Sequence, residues 1–300
     1  TDGSRSDLDF QPYGSVWDEV VSDSGNCLGK KCPTHDECFF YRARRRAKHA
    51  NIILVNHALF FSDLALRQMG AKVLPDYDVV IFDEAHTVEQ VAGDHLGLRV
   101  SSGQVDYALN RLYNERSNKG LLVADSLKSE QQLVFDCHFL AGEFFQDLYE
   151  WHSKTQGNGR IRSPDIIANK LSPQMAKLSA RLKAFSEEQT SKEKKLDYQS
   201  AADRMEQLAG EIEAWRKHSL DDGVYWTENS FNKRGNLRST LAAAPLDIGP
   251  TLREQLFQRC RTVILASATL TTGAASFDFV KTRLGLTETS ELKVGSPFDY

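Results

Sequence analysis

The sequence holds no apolar run near the roughly 18 residues that a membrane-crossing helix needs, and its start lacks the basic-then-apolar pattern of a secretory leader. No membrane partner is expected. Cysteine is scarce: five residues, an odd number and unevenly spread, argue against a disulfide framework and for a reducing, cytoplasmic setting. Neither sign of charge is in excess, since 37 Lys and Arg against 41 Asp and Glu leave a formal net charge of −4. Any contact with nucleic acid must therefore come from a local basic stripe. A phosphate-binding loop is missing too. Gly25-x3-Gly29-Lys30-Lys31 is one residue short of the G-x4-G-K-S/T spacing, has no Ser or Thr after the lysine and follows no strand. An initial Met is also lacking and the first stretch is polar, so the chain is read as part of a longer protein. What remains is ordinary: 41% hydrophobic and 26% charged residues over 300 positions, enough for roughly one to three globular domains.

The most informative stretch is Tyr77-Asp-Val-Val-Ile-Phe-Asp-Glu-Ala-His86. Its apolar run, residues 79–82, suits a strand buried on both faces, as in a parallel sheet. Asp83 and Glu84 then fall at the strand's carboxyl end, where open α/β sheets place their ligands. One carboxylate there can hold Mg²⁺ through water, while its neighbour orients or deprotonates an attacking water. Asp83 is assigned the metal, Glu84 the water, and His86 the relay of nucleotide state to its surroundings. The competing explanation is a plain acidic helix start, because Asp and Glu favour first turns. A second buried strand over 262–266 delivers Ser267-Ala268-Thr269 at its own carboxyl end, where two hydroxyls can bond the carboxylate and the histidine. A short apolar strand over 51–55, ending at Asn56-His57, and a helix over 58–69 complete part of a parallel βαβ sheet. No chemistry is assigned to Asn56 or His57.

Cys27-x4-Cys32-x5-Cys38 puts three thiols within 12 residues. Soft thiolates suit zinc or iron–sulfur clusters, and a [4Fe–4S] cluster normally takes four. The spacing departs from the Cys-x2-Cys knuckle of zinc ribbons, although His35 supplies a fourth ligand in the zinc alternative. A helix follows over 39–48, with Arg42, Arg44, Arg45, Arg46 and Lys48 along it. Such a run is either a solvated face or a stripe that contacts phosphates.

From about residue 101 to 218 the pattern is helical. Leu133, Cys137, Leu140, Phe144 and Leu148 recur at spacings of three and four. So do Leu171, Met175, Leu178, Leu182 and Phe185, and then Tyr198, Ala201, Met205, Leu208, Ile212 and Trp215. These read as core-facing stripes, two of them nearly heptad. Cys137 lies on one and is read as a buried structural thiol. Strand character returns around 224–228, a turn is expected at Arg234 to Asn236, and helices are expected near 252–258 and after Phe277.

Asp83-Glu84-Ala85-His86 after an apolar strand resembles motif II, the DEAH box, of superfamily 2 helicases. Asn56-His57-Ala58-Leu59-Phe60, Ser267-Ala268-Thr269-Leu270 and Gly295-Ser-Pro-Phe-Asp-Tyr300 narrow the resemblance to the iron–sulfur helicases of the DinG/YoaA/XPD family. The resemblance implies an α/β fold with part of a RecA-like motor domain. It implies an ATP-dependent DNA helicase, moving 5′ to 3′ on single-stranded or forked DNA, in repair or replication, with repair or replication proteins as partners. Asp83 and Glu84 would serve Mg²⁺-ATP hydrolysis, and His86, Ser267 and Thr269 would couple it to movement. Cys27, Cys32 and Cys38 are similar to the last three ligands of that family's [4Fe–4S] cluster, the first lying upstream. Residues 1–50 would be the cluster module with its basic helix, 51–100 motor domain with the DEAH box, and 101–222 an inserted helical arch. Residues 223–290 would return to the motor domain with motif III, and 291–300 would open a second one. Without a phosphate loop or second motor domain, these residues alone are expected to be ATPase-dead. Two alternatives remain: a cluster- or zinc-bearing module that binds nucleic acid or a partner without motor activity, and a nuclease-linked relative. No exonuclease carboxylate set stands out, and the three cysteines argue against the latter.

Overall fold

In chain order the elements are α1 (Gly14–Val20), α2 (Phe39–His49), α3 (His57–Gln68), β1 (Val79–Phe82), α4 (Val88–Leu96), β2 (Leu98–Ser101), α5 (Ser102–Leu112), α6 (Leu121–Ala124), α7 (Lys128–Thr155), β3 (Arg160–Ile161), α8 (Leu171–Glu188), α9 (Lys192–Arg216), β4 (Gly223–Phe231), β5 (Leu237–Pro245), α10 (Gly249–Leu252), β6 (Thr262–Leu265) and α11 (Asp278–Leu284). A π-helical turn over Arg253–Phe257 continues α10. The computed structural model describes residues 3–21, 27–68, 70–155, 157–220, 222–232, 235–271 and 276–295. Of the segment 291–300, expected to open a second motor domain, residues 296–300 lie outside them, as do Gly25 and Arg234. The class is α/β, with one parallel pair of strands, as the sequence predicts.

Two compact units result, one built from Ile52–Gly97 with Ala244–Tyr300 and the other from Thr1–Asn51 with Leu98–Ala243. In the first, β1 and β6 pair in parallel with Phe82 opposite Leu265. Because side chains alternate across a strand, Val80, Phe82, Val263 and Leu265 turn to one face, over a core of Phe60, Phe61, Leu64, Val88 and Leu252. The other face is open. Val79 is 50% exposed, Ile81 65% and Ile264 46%, so the expected burial of both strands on both faces does not hold among the described residues. Residues 51–55 are likewise no strand: Ile52 and Leu54 stand 82% and 94% exposed. A strand exists only through its ladder, and the two-stranded sheet offers β1 and β6 alone.

A charged clip feeds β1. Asp63 is fully buried and accepts the N–H groups of Val73 and Leu74 at 2.6 and 2.8 Å. Arg67 donates to Asp63 at 2.6 Å and to the carbonyls of Leu74 and Pro75, with its guanidinium 5.0 Å from the centre of the Tyr77 ring. Every polar atom of the buried carboxylate is thereby paired, which is the condition for a charge to persist inside.

The second unit packs α5, α7, α8 and α9 with a four-stranded sheet in the order β2-β5-β4-β3. Helices α8 and α9 bury Leu171, Met175, Leu178 and Leu182 against Tyr198, Met205, Leu208, Ile212 and Trp215, as their periodicity predicts. Cys137 is buried, and burial pushes its thiol up to about 12, so it is an inert core residue. On α9 it is Ala202, rather than its expected neighbour Ala201, that is fully buried. Residues 223–243, assigned from sequence to the motor part, cluster here. Strand β5 pairs antiparallel with β2, and the Trp215 indole donates to the Ala242 carbonyl at 3.0 Å, which ties the end of α9 to the sheet.

Candidate active site

The parallel register of β1 and β6 sends both chains out of the sheet at the same end. The Ala266 N–H donates to the Phe82 carbonyl at 2.9 Å, and the Ala85 N–H donates back to the Ala266 carbonyl at 3.0 Å. That exchange sets residues 83–87 beside 267–269, although 181 positions separate His86 from Ser267.

Glu84 is the unusual residue. Its φ and ψ of 48° and 47° lie in the left-handed region, which costs a non-glycine residue on the order of 1–2 kcal/mol. Its N–H donates to the Asp83 carboxylate at 3.0 Å. Its carbonyl accepts from both the N–H and the hydroxyl of Thr87, each at 3.0 Å. Glu84 occupies the cap position of the short helical turn Ala85–Thr87, yet its side chain makes no capping bond. The carboxylate points elsewhere: Oε2 lies 3.4 Å from Ser267 Oγ and 3.3 Å from His86 Nδ1. This tells against the plain acidic helix start, in which the carboxylate would be consumed by capping.

His86 Nδ1 and Ser267 Oγ are 2.9 Å apart, and Ser267 Oγ also accepts the Thr269 N–H at 3.3 Å. With the serine proton directed at Glu84, the imidazole donates to the serine from Nδ1, and the hydroxyl becomes the junction of the three groups. Thr269 enters this network through its backbone rather than the expected hydroxyl. Asp83, Glu84 and His86 are all exposed at the rim of the site. A cleft of about 290 Å³ opens beside His86, where Arg283 donates to Glu89 at 2.7 Å. The arrangement leaves the Asp83 carboxylate exposed at a strand end and orients the Glu84 carboxylate by two neighbours, a pair whose chemistry suits a hydrated metal and a water.

Two residues that the motif reading left without a role belong to this network. His57 Nδ1 is 3.0 Å from Thr87 Oγ1, and its ring meets Phe82 edge-on with centroids 5.5 Å apart. Asn56 caps α3, its side-chain oxygen accepting the Leu59 N–H at 2.8 Å. The polar pair at 56–57 was the available signal; the partner, 30 positions on, was not.

The cysteine module is different. Cys27 Sγ lies 3.7 Å from the Tyr41 hydroxyl and Cys32 Sγ 3.4 Å from the Thr34 hydroxyl, while Cys38 stands at the start of α2 without a side-chain capping bond. Hydrogen bonds from Thr34, its side chain first and its backbone second, hold the Cys32 thiol below its ordinary value. Among the described residues no three His, Cys, Asp or Glu side chains converge on one metal position, so the structure does not bring the three thiols together. On α2, Arg42, Arg44, Arg45, Arg46 and Lys48 are all exposed. At 100° per residue they span roughly 200° of the helix rather than one narrow stripe. Arg42 and Arg44 sit over the Phe39 and Phe40 rings, and Arg45 donates to the Asp36 carbonyl at 2.6 Å.

Comparison with known proteins points the same way. Residues 20–105 match the DEAD_2 family. The chain is 28% identical, over 95% of its length, to the ATP-dependent DNA helicase YoaA of Escherichia coli strain K12, of which it covers 43%. It is 29% identical, over 99% of its length, to the ATP-dependent helicase DinG of Mycobacterium tuberculosis, again covering 43%. It is 25% identical, over 99% of its length, to the 3′-5′ exonuclease DinG of Bacillus subtilis, covering 36% of it. The chain thus spans less than half the length of these relatives.

Proposed function

We propose that the chain is part of a DinG/YoaA-type protein, and that the full-length protein is an ATP-dependent DNA helicase acting in DNA repair or at replication structures. The observation that carries the proposal is the Glu84 carboxylate, free of any capping bond and set between His86 and Ser267 at the end of a parallel strand. Mg²⁺-ATP is the substrate in this reading. Asp83 would hold the Mg²⁺ through water. Glu84 takes a proton from the water that attacks the γ-phosphorus, as the bond to the bridging oxygen breaks and ADP leaves. His86 and Ser267, bonded to one another across two strands, register that change on the β6 side.

The remaining assignments are proposals of the same kind. The exposed cations of α2 take up DNA phosphates, each adding about −0.7 to the log–log salt slope on single strands. Cys27, Cys32 and Cys38 are proposed as cluster ligands on the softness of three thiols in one short module. The donor chemistry supports that reading, but among the described residues no group of three such side chains is placed to hold a metal, so no step of the reaction is routed through a cluster. The unit holding α7, α8 and α9 is assigned to an arch inserted in the motor domain.

One anaerobic preparation of the full-length protein tests the reading. Strand displacement from a fork with a 5′ single-stranded tail should require ATP, and iron and acid-labile sulfide should be near-equal and lost in Cys32→Ser. Tail-independent binding with no displacement would favour a non-motor nucleic-acid module, and stoichiometric zinc without sulfide would overturn the cluster assignment.

A further inference from the structure

We infer that His57 is a positioning residue for Glu84, acting through Thr87; the inference rests on the hydrolytic reading of the site given above. Three observations lead there. The Thr87 hydroxyl has a single hydrogen and lies 3.0 Å from both the Glu84 carbonyl, an acceptor only, and His57 Nδ1. Both contacts are satisfied together only if the hydroxyl donates to the carbonyl and the imidazole donates to the hydroxyl oxygen, which assigns the His57 proton to Nδ1. Finally, the residue at the end of this chain is Glu84, held at φ 48°.

A left-handed non-glycine residue persists only where its surroundings over-determine it. At Glu84 the determinants are countable. Asp83 accepts its N–H, Thr87 gives its carbonyl two donors, and the Ala85 N–H is anchored on the Ala266 carbonyl. Of these, the Thr87 hydroxyl is the one whose rotamer is set from outside the loop. His57 sets it, from the first turn of α3, which Asn56 caps. The pair Asn56-His57 therefore divides its work: Asn56 fixes the start of the helix, and His57 reaches from it to orient the hydroxyl that locks the Glu84 peptide. Without that lock the carboxylate is free to swing from His86 and Ser267, and a small misplacement of a proton acceptor is expensive in rate.

The test compares ATP turnover of the full-length protein on single-stranded DNA. Two His57 variants separate a hydrogen-bonding role from packing. His57→Phe keeps a ring against Phe82 but has no donor. His57→Asn loses the ring but places an amide N–H near the position of Nδ1. The expected result is a fall in kcat of about 10-fold or more for His57→Phe with KM for ATP little changed, and recovery of most of that loss in His57→Asn. Thr87→Val should match His57→Phe, and the double variant should be no worse than either single one. Full activity in His57→Phe, or equal loss in His57→Asn and His57→Phe, would overturn the inference. If His57→Phe does not fold, Thr87→Val alone decides, since a wild-type rate there refutes the relay. Glu84→Gln separates the two levels. If it abolishes turnover while the His57 and Thr87 variants do not reduce it, the relay is wrong and the hydrolytic reading stands; if it leaves turnover intact, both fall.

Discussion

At the scale of single residues, charge in this chain is useful where several partners agree on one group. Glu213 receives Arg216 through both carboxylate oxygens, at 2.7 and 3.0 Å, and the Asn169 amide at 2.8 Å. Arg216 bonds Asp165 as well. The guanidinium first, and the amide with it, hold the Glu213 carboxyl down at about 2. A depressed carboxylate stabilises the fold above its ordinary unfolded value of about 4.3, and that contribution drains away as pH falls toward the folded value. The melting temperature of the wild-type chain should therefore drop more steeply between about pH 4.5 and 2 than that of Glu213→Gln. At neutral pH the variant should be the less stable of the two by about 1 kcal/mol, because the site is partly exposed and screened. Parallel pH profiles for the two proteins would show that Glu213 is not the titrating group. The same scale explains what could be read of the candidate site in advance. Asp83, Glu84, His86 and Ser267 announce themselves as polar residues at the ends of apolar runs. Thr87 does not, since a threonine after a histidine carries no local signal, and His57, although it ends the apolar run 51–55, gives no sign of a partner that only packing fixes.

Elements were legible to the extent that their periodicity reports local geometry. The stripes on α7, α8 and α9 follow the 3.6-residue repeat and most of their residues are buried, while Leu133, Leu140, Phe185 and Ala201 are only partly so. What they leave out is the seam between α8 and α9. Ser172, Ser179 and Ser186 recur at intervals of seven and are all buried. The Ser172 hydroxyl donates to the Ala209 carbonyl at 2.9 Å and the Ser179 hydroxyl to the Ala202 carbonyl at 2.8 Å. Paired positions sum to a constant, 172 with 209 and 179 with 202, as antiparallel helices in heptad register require. Serines look like surface residues in a sequence, so hydrophobicity alone hides them. Small size is the requirement here. Ser179→Ala should cost about 1 kcal/mol, whereas Ser179→Leu should cost about 1–3 kcal/mol by forcing the helices apart. Denaturant titration would check both, and equal stability of the leucine variant would mean that the seam is not closely packed. Strands failed in the opposite way: residues 51–55 have the right composition, but a strand is made by its neighbours and not by its own side chains.

For the whole molecule, the class was legible from apolar runs that each end in polar, chemistry-bearing residues, although the parallel pair forms between β1 and β6 and does not include the expected strand over 51–55. The membership of 223–243 was not. Strand β5 is decided by its antiparallel register with β2 and by the Trp215 anchor, contacts that span more than the local pattern. No described helix is long and apolar enough to cross a membrane. The claim on which the rest depends is that Asp83 and Glu84 form a hydrolytic centre. ATP turnover by the full-length protein, with and without single-stranded DNA, for wild type and Glu84→Gln, tests it most directly. The account predicts DNA-stimulated turnover in the wild type and a fall in kcat of about 100-fold or more in Glu84→Gln, with ATP still bound. Turnover by Glu84→Gln at the wild-type rate would contradict it.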